Sequence, residues 1–170
     1  MLASVLVTLV LALMASYYVT RSSTPGATRM LRIFLMGLAI PIQATIIPVY
    51  YMIVRMGLYD SLIALVLPSI AFSIPISVLI IVNFLRDIPG ELFESMHLDG
   101  ATDWRMLRSL ALPLTRPALV TVGVYVGLNV WNGFLFPLVL TQSSSVRVLR
   151  YRCGRIRVNS RSTFPRFLPP

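Results

Sequence analysis

Residues 87–117 read DIPGELFESMHLDGATDWRMLRSLALPLTRP, and this polar stretch, set between long apolar runs, decides how the rest of the chain is organised. It holds five of the six acidic residues: Asp87, Glu91, Glu94, Asp99 and Asp103. Pro89-Gly90 breaks the preceding apolar run. Glu91 and Glu94 then fall at the start of a short helix, where the partial positive charge of a helix N-terminus favours acids. Leu92, Phe93 and Met96 recur at helical spacing and predict one apolar face. Asp99-Gly100 reads as a helix stop, because glycine takes the left-handed cap conformation without a Cβ clash. Thr102 or Asp103 can cap a second helix over 103–112, which Pro113 and Pro117 are expected to end. The stretch is therefore a helical hairpin whose apolar stripe requires a cover.

Outward from the hairpin the composition is that of a membrane protein. The 170 residues are 56% hydrophobic and only 12% charged, far too apolar for an ordinary soluble domain of this length. All fifteen basic residues are Arg. With no lysine there is no phosphate-loop lysine for ATP and no Schiff-base lysine. A single cysteine, Cys153, leaves no internal disulfide, and with His97 the lone histidine no metal-site spacing exists. No cofactor is expected, and His97 reads as an ordinary exposed residue on the first hairpin helix. The chain is not read as an enzyme: clustered acids beside one histidine fit a solvated surface better than an acid–base pair.

The apolar runs predict an all-α integral membrane protein with about four spans, at residues 2–20, 33–54, 61–85 and 118–140, and the hairpin loop at 86–117. The first run has a signal peptide as its alternative, but no Arg precedes it and it is long for one, so a span is favoured. Between the first two runs lies a Ser/Thr/Pro/Gly linker with Arg21, Arg29 and Arg32. Those three arginines and the four at Arg86, Arg105, Arg108 and Arg116 outnumber the single Arg55 of the intervening loop. The positive-inside bias therefore places the linker and the hairpin in the cytoplasm and Met1 outside, which hints at a further helix upstream.

Pro41/Pro48 and Pro68/Pro75 are each seven residues apart, so each pair shares a helix face and favours a bend. Gln43, Asn83, Asn129 and Asn132 are polar groups at membrane depth, the last two flanking Trp131. They face protein or a water-filled path rather than lipid. Asn83, Asn129, Trp131 and Asn132 are candidates for a substrate path, and helix–helix hydrogen bonding is the plainer reading of each. After Thr141 the texture changes. Seven Arg and no acid follow Ser145, whereas the rest of the chain balances eight Arg against six acids. Residues 1–141 thus form the transmembrane domain, and 142–170 a basic, disordered, non-native tail.

These residues carry a family resemblance. Glu94-Ser95-Met96, then Gly100, then Leu110-Ala111-Leu112-Pro113 follow the spacing of a cytoplasmic loop that reads E-A-A, three residues, Gly, nine residues, I-x-L-P. With the surrounding IPGELFESMHLDGATDW and the later WNGFLFPLVLTQ, the chain resembles, from Leu2 to Leu149, the inner-membrane permease subunit of a bacterial ATP-binding-cassette importer of the carbohydrate (maltose-type) branch. The resemblance implies a multi-pass protein of the bacterial plasma membrane that moves a sugar inward by alternating access. The ATP would be hydrolysed in a partner, and the partners implied are cassette ATPase subunits, a second permease chain, and a periplasmic or lipid-anchored sugar-binding protein. On the carry-over, the coupling loop uses Glu91, Glu94, Ser95, Met96, Asp99, Gly100, Ala101, Leu110 and Pro113: Glu94 positions the docking helix, Asp99, Gly100 and Ala101 make the turn, and Pro113 ends the second helix. Ser95 and Met96 stand where the family has alanines, and the larger Met96 is expected to alter the docking fit. Set against the resemblance, the chain is expected to lack the family's first span and to carry RYRCGRIRVNSRS in place of its usual continuation, which suggests a frame change near Leu149. The alternatives are another cargo (amino acid, peptide or phosphate) on the same fold, or a non-functional membrane fragment whose Arg tail binds lipid or nucleic acid. Nucleic acid is not expected as a partner of the permease itself.

Overall fold

One face of the first helix is built from small residues at a four-residue step. Ser4, Thr8, Ala12 and Ser16 are all buried on helix α1 (Leu2–Arg21). Small side chains at this step let two helix backbones approach closely, which is how helices associate where lipid removes the hydrophobic drive. Opposite them stand Ala118, Val122 and Val126 of α7 (Arg116–Asn132), again four apart and fully buried. A Cβ added at Gly123 of α7 would meet Leu9 Cδ1 of α1 at 3.7 Å, an ordinary contact, so the space between the two helices there is about one methyl group wide. The outer face of α1 carries exposed Leu2, Leu6, Val10 and Met14. Apolar groups outside and small or polar ones inside are the arrangement of a helix in lipid.

The computed structural model describes residues 1–22 and 24–141, which form helices and turns. Between α1 and α7 lie α2 (Pro25–Leu38), α3 (Ile42–Arg55), α4 (Leu62–Arg86), α5 (Gly90–Leu98) and α6 (Asp103–Leu114), and α8 (Leu135–Leu140) follows α7. The chain divides into two compact units, one of residues 1–45 and 66–132, the other, among the described residues, of 46–65 and 133–141. Two helices, α1 and α4, are each long and apolar enough to cross a bilayer alone, and up to four crossings result if bent helix pairs count as one span each. The architecture is the expected all-α one. The basic tail proposed for 142–170 lies outside the described residues.

Several boundaries differ from the sequence reading, each for a local reason. The linker after Arg21 is mostly helix: Thr24 stands at the N-cap and Pro25 in the first turn of α2, where the missing N–H costs nothing. The apolar run at 33–54 is interrupted at Ala39–Pro41, because the residue before a proline is disfavoured in helical conformation. Pro48, Pro68 and Pro75 instead sit inside continuous helices. The run at 118–140 is broken after Asn132, at Gly133-Phe134.

The core of the larger unit gathers Leu13 and Tyr17 from α1, Val78, Ile81, Val82 and Leu85 from α4, and Val122 and Val126 from α7. Ser16 Oγ donates to the Val78 carbonyl at 3.2 Å and links α1 to α4. Gly37 of α2 lies against Pro75 of α4, where an added Cβ would come within 3.2 Å of the proline ring. In the smaller unit Ile53, Ala64 and Leu140 form a separate cluster, and the Asp60 amide donates to the Leu140 carbonyl at 3.1 Å.

Candidate functional site

The hairpin is built from two short helices and two caps. Helix α5 ends in a Schellman motif: the Gly100 amide donates to the His97 carbonyl and the Ala101 amide to the Met96 carbonyl, each at 3.0 Å. Gly100 has φ +76° and nothing within 4 Å of where a Cβ would stand. Backbone conformation, not space, therefore requires glycine. Ala101, the next residue, is buried against the core, as the hydrophobic partner of such a cap usually is. Thr102, rather than Asp103, caps α6: its hydroxyl accepts from the Arg105 amide at 3.4 Å. Asp103 occupies the first turn, where a negative charge faces the helix N-terminus favourably.

Helix α6 does not stop at Pro113. Leu107–Ala111 widens into a π turn, with the Leu112 amide donating to the Leu107 carbonyl five residues back. A proline ring at position 113 clashes with the carbonyl four residues earlier in a regular α-helix. The wider turn relieves that clash, and the helix runs to Leu114. The break falls at Thr115, where the chain turns by 74° into α7. Thr115 is fully buried and its hydroxyl donates to the Ala111 carbonyl at 2.7 Å. Pro117 lies in the first turn of α7, where it is harmless.

The apolar stripe predicted on the first hairpin helix is covered largely by the chain itself. Phe93 is 6% exposed and packs in the core, and half-buried Met96 packs against the same cluster. Tyr17 of α1 meets the Phe93 ring at 6.3 Å between centroids, tilted by 47°. Arg21, in the last turn of α1, places its guanidinium carbon 3.4 Å from the Phe93 ring centroid, a cation–π contact. The same guanidinium donates through Nη2 to the Leu85 carbonyl of α4 at 3.4 Å. Carbonyls at a helix C-terminus lack intrahelical donors, so a cation is well placed there. One side chain thus joins the ends of α1 and α4 to the hairpin, and puts the two arginine-rich segments at the same end of the unit.

What remains outward on the hairpin is a mixed surface. Leu98 is 87% exposed and Trp104 63% exposed, with Leu92, Glu91, Glu94, Ser95, Asp99 and Gly100 also outside. The Ser95 hydroxyl turns back to the Leu92 carbonyl at 3.0 Å. Leu110 and Pro113 are half-buried on the other helix. Met96, expected to alter a docking fit, is half-buried and packs against the chain's own core, so its size also bears on internal packing. Sequence reasoning missed Arg21 and Tyr17. Their signal was an arginine and an aromatic one turn apart at the end of a span.

The polar residues at membrane depth are not brought together. Asn83 lies three residues before the hairpin end of α4, whereas Asn129 is thirteen residues along α7, about 20 Å from that helix's hairpin end at 1.5 Å per residue. Asn129 is exposed and its amide donates to the Tyr125 carbonyl one turn back at 2.9 Å. Trp131 and Asn132 follow it as exposed residues. Among the described residues no group of three or more His, Cys, Asp or Glu gathers as a metal site.

Comparison with known proteins agrees with this picture. Residues 4–159 match the model of the family described as "Binding-protein-dependent transport system inner membrane component". A putative ABC transporter permease protein, ORF2, of Caldicellulosiruptor sp. is 40% identical over 86% of this chain and 53% of its own length. The diacetylchitobiose uptake system permease protein NgcG of Streptomyces coelicolor is 30% identical over 86% of this chain and 48% of its own. The trehalose transport system permease protein SugB of Mycobacterium tuberculosis is 31% identical over 85% and 53%. The chain spans about half the length of the curated relatives it matches. With apolar helices of spanning length and the capped hairpin between them, the chain belongs to the family of binding-protein-dependent transport system inner membrane components.

Proposed function

We propose that the chain serves as the permease component of a sugar importer, and that its hairpin couples a separate cassette ATPase to the membrane helices. The observation that carries this reading is the seat of Phe93 under Arg21. A docked partner that pushes on α5 must move the ends of α1 and α4 with it, because one buried ring and one guanidinium join all three. The exposed Leu98 and Trp104, with the acids around them, form the face offered to that partner. Alternating access follows if α1, α4 and α7 tilt as the hairpin moves. A sugar as cargo is supported by relatives whose names specify diacetylchitobiose and trehalose uptake. A second permease chain and a sugar-binding protein outside the membrane complete the proposed machine.

The test is co-purification of the full chain with a cassette ATPase of a carbohydrate importer from the same cell. Leu98→Glu and Trp104→Glu, both at exposed positions, are expected to abolish association while the chain still inserts and folds. Association unchanged in both variants would remove the hairpin from its coupling role.

A further inference from the structure

Helix α2 carries two charges into the membrane. Its start is fixed beside the end of α1, where a Cβ added at Gly26 would stand 3.5 Å from the Tyr18 hydroxyl. Arg21, at the end of α1, reaches Leu85 at the hairpin end of α4. The far end of α2 is fixed by Gly37 against Pro75, one residue past the centre of α4 (Leu62–Arg86). Helix α2 therefore runs from the hairpin end of that span to its middle. At about 1.5 Å per residue, Arg32 and Arg29 lie about 8 and 12 Å short of the midpoint. Half of a bilayer's hydrocarbon core is about 15 Å, so both backbone positions fall below the headgroups.

Both arginines are exposed. They stand three residues apart on one face of α2, where like charges repel. No acidic residue precedes Asp60 in the chain. Among the described residues neither guanidinium has an ion-pair or hydrogen-bond partner. The same face continues deeper with Ile33 and Met36, 66% and 67% exposed. Two cations above an apolar strip match a phospholipid of net negative charge: phosphate oxygens on the guanidiniums, an acyl chain along Ile33 and Met36. A protein partner on this face would have to bring carboxylates to hydrocarbon depth, where they are costly. A lipid keeps its charge at the headgroup, and the long arginine stems reach up to it.

We propose that Arg29 and Arg32 of α2 form a binding site for an anionic phospholipid, with phosphatidylglycerol as the probe. The bound headgroup relieves the repulsion within the pair and holds the first two turns of α2 at the membrane boundary. This assignment does not depend on ATPase coupling, and its test uses the chain without that partner.

The experiment is native mass spectrometry of the purified full chain, released from vesicles holding equal parts of phosphatidylglycerol, phosphatidylethanolamine and phosphatidylcholine. Wild type is expected to retain phosphatidylglycerol over both zwitterionic lipids. Arg29→Gln and Arg32→Gln are each expected to lower that retention about fivefold, and the double variant roughly twenty-five-fold. Arg150→Gln with Arg152→Gln removes the same charge from the basic C-terminal sequence and is expected to leave retention unchanged. Phosphatidylglycerol should raise the Tm of wild type and not that of the α2 double variant. Should the double variant fail to fold, the two single variants decide. Equal retention of all three lipids, or an equal loss in the two double variants, would overturn the assignment. Retention that the α2 changes leave unaltered would overturn it as well and give this face to a protein partner.

Discussion

The guanidinium carbon of Arg21 lies 3.4 Å from the centroid of the Phe93 ring, and the same group reaches the Leu85 carbonyl. This relationship ties three helices of one unit at the hairpin end. It predicts that Phe93→Ala destabilises the chain by about 3 kcal/mol, the scale for emptying a buried aromatic site. Phe93→Leu with Arg21→Met, taken as a double-mutant cycle, is expected to show a coupling of about 1 kcal/mol. Unfolding by sodium dodecyl sulfate in mixed micelles measures both, and strict additivity would deny the contact.

The left-handed cap at Gly100 predicts a graded series. Gly100→Ala is expected to cost about 1–2 kcal/mol, because a Cβ is disfavoured at φ +76° even though no atom stands in its way. Gly100→Asn costs less, since asparagine tolerates this region. Amide exchange at Ala101, slow while it donates to the Met96 carbonyl, should quicken in the same order.

Close approach rather than backbone shape governs Gly37. An added Cβ comes within 3.2 Å of the Pro75 ring, and that ring has little freedom to move. Gly37→Ala is therefore expected to lose about 1 kcal/mol, in the range of a mild overpacking. Adding Pro75→Ala should recover most of the loss, and a failure to recover would place the strain elsewhere.

The π turn and Pro113 are linked by the proline's clash with the carbonyl four residues back. Pro113→Ala removes the clash and is expected to let Leu107–Ala111 relax to α geometry, which changes the 74° turn into α7. Spin labels on the exposed Arg105 and Val120 read this as a shift in distance. An unchanged distance would show that the turn at Thr115 is set without the proline.

Much of the hairpin was legible in the sequence because its signals are local. Asp99-Gly100-Ala101 declares a helix end through the conformation that glycine alone adopts easily, and Thr102 declares the next start. The inward turn of Phe93 and Met96 was not legible. Helical spacing identifies an apolar face but not what covers it, and the cover here comes from Tyr17 and Arg21, more than seventy residues earlier. Prolines misled for a related reason. Pro41 ends a helix, but Pro113 does not, because the preceding turn widens, and no local residue pattern announces that. Asn83 and Asn129, candidates for a substrate path by sequence, share a chemistry without sharing a depth, which only the helix starts and ends reveal.

The central claim is that the hairpin stands in the cytoplasm, where an ATPase can reach it. The most direct measurement replaces the lone cysteine by Cys153→Ser, introduces His97→Cys on the exposed side of α5, and treats cells with a membrane-impermeant maleimide. Labelling only after the inner membrane is permeabilised is the predicted result. Labelling in spheroplasts with that membrane intact would put the hairpin outside and contradict the account.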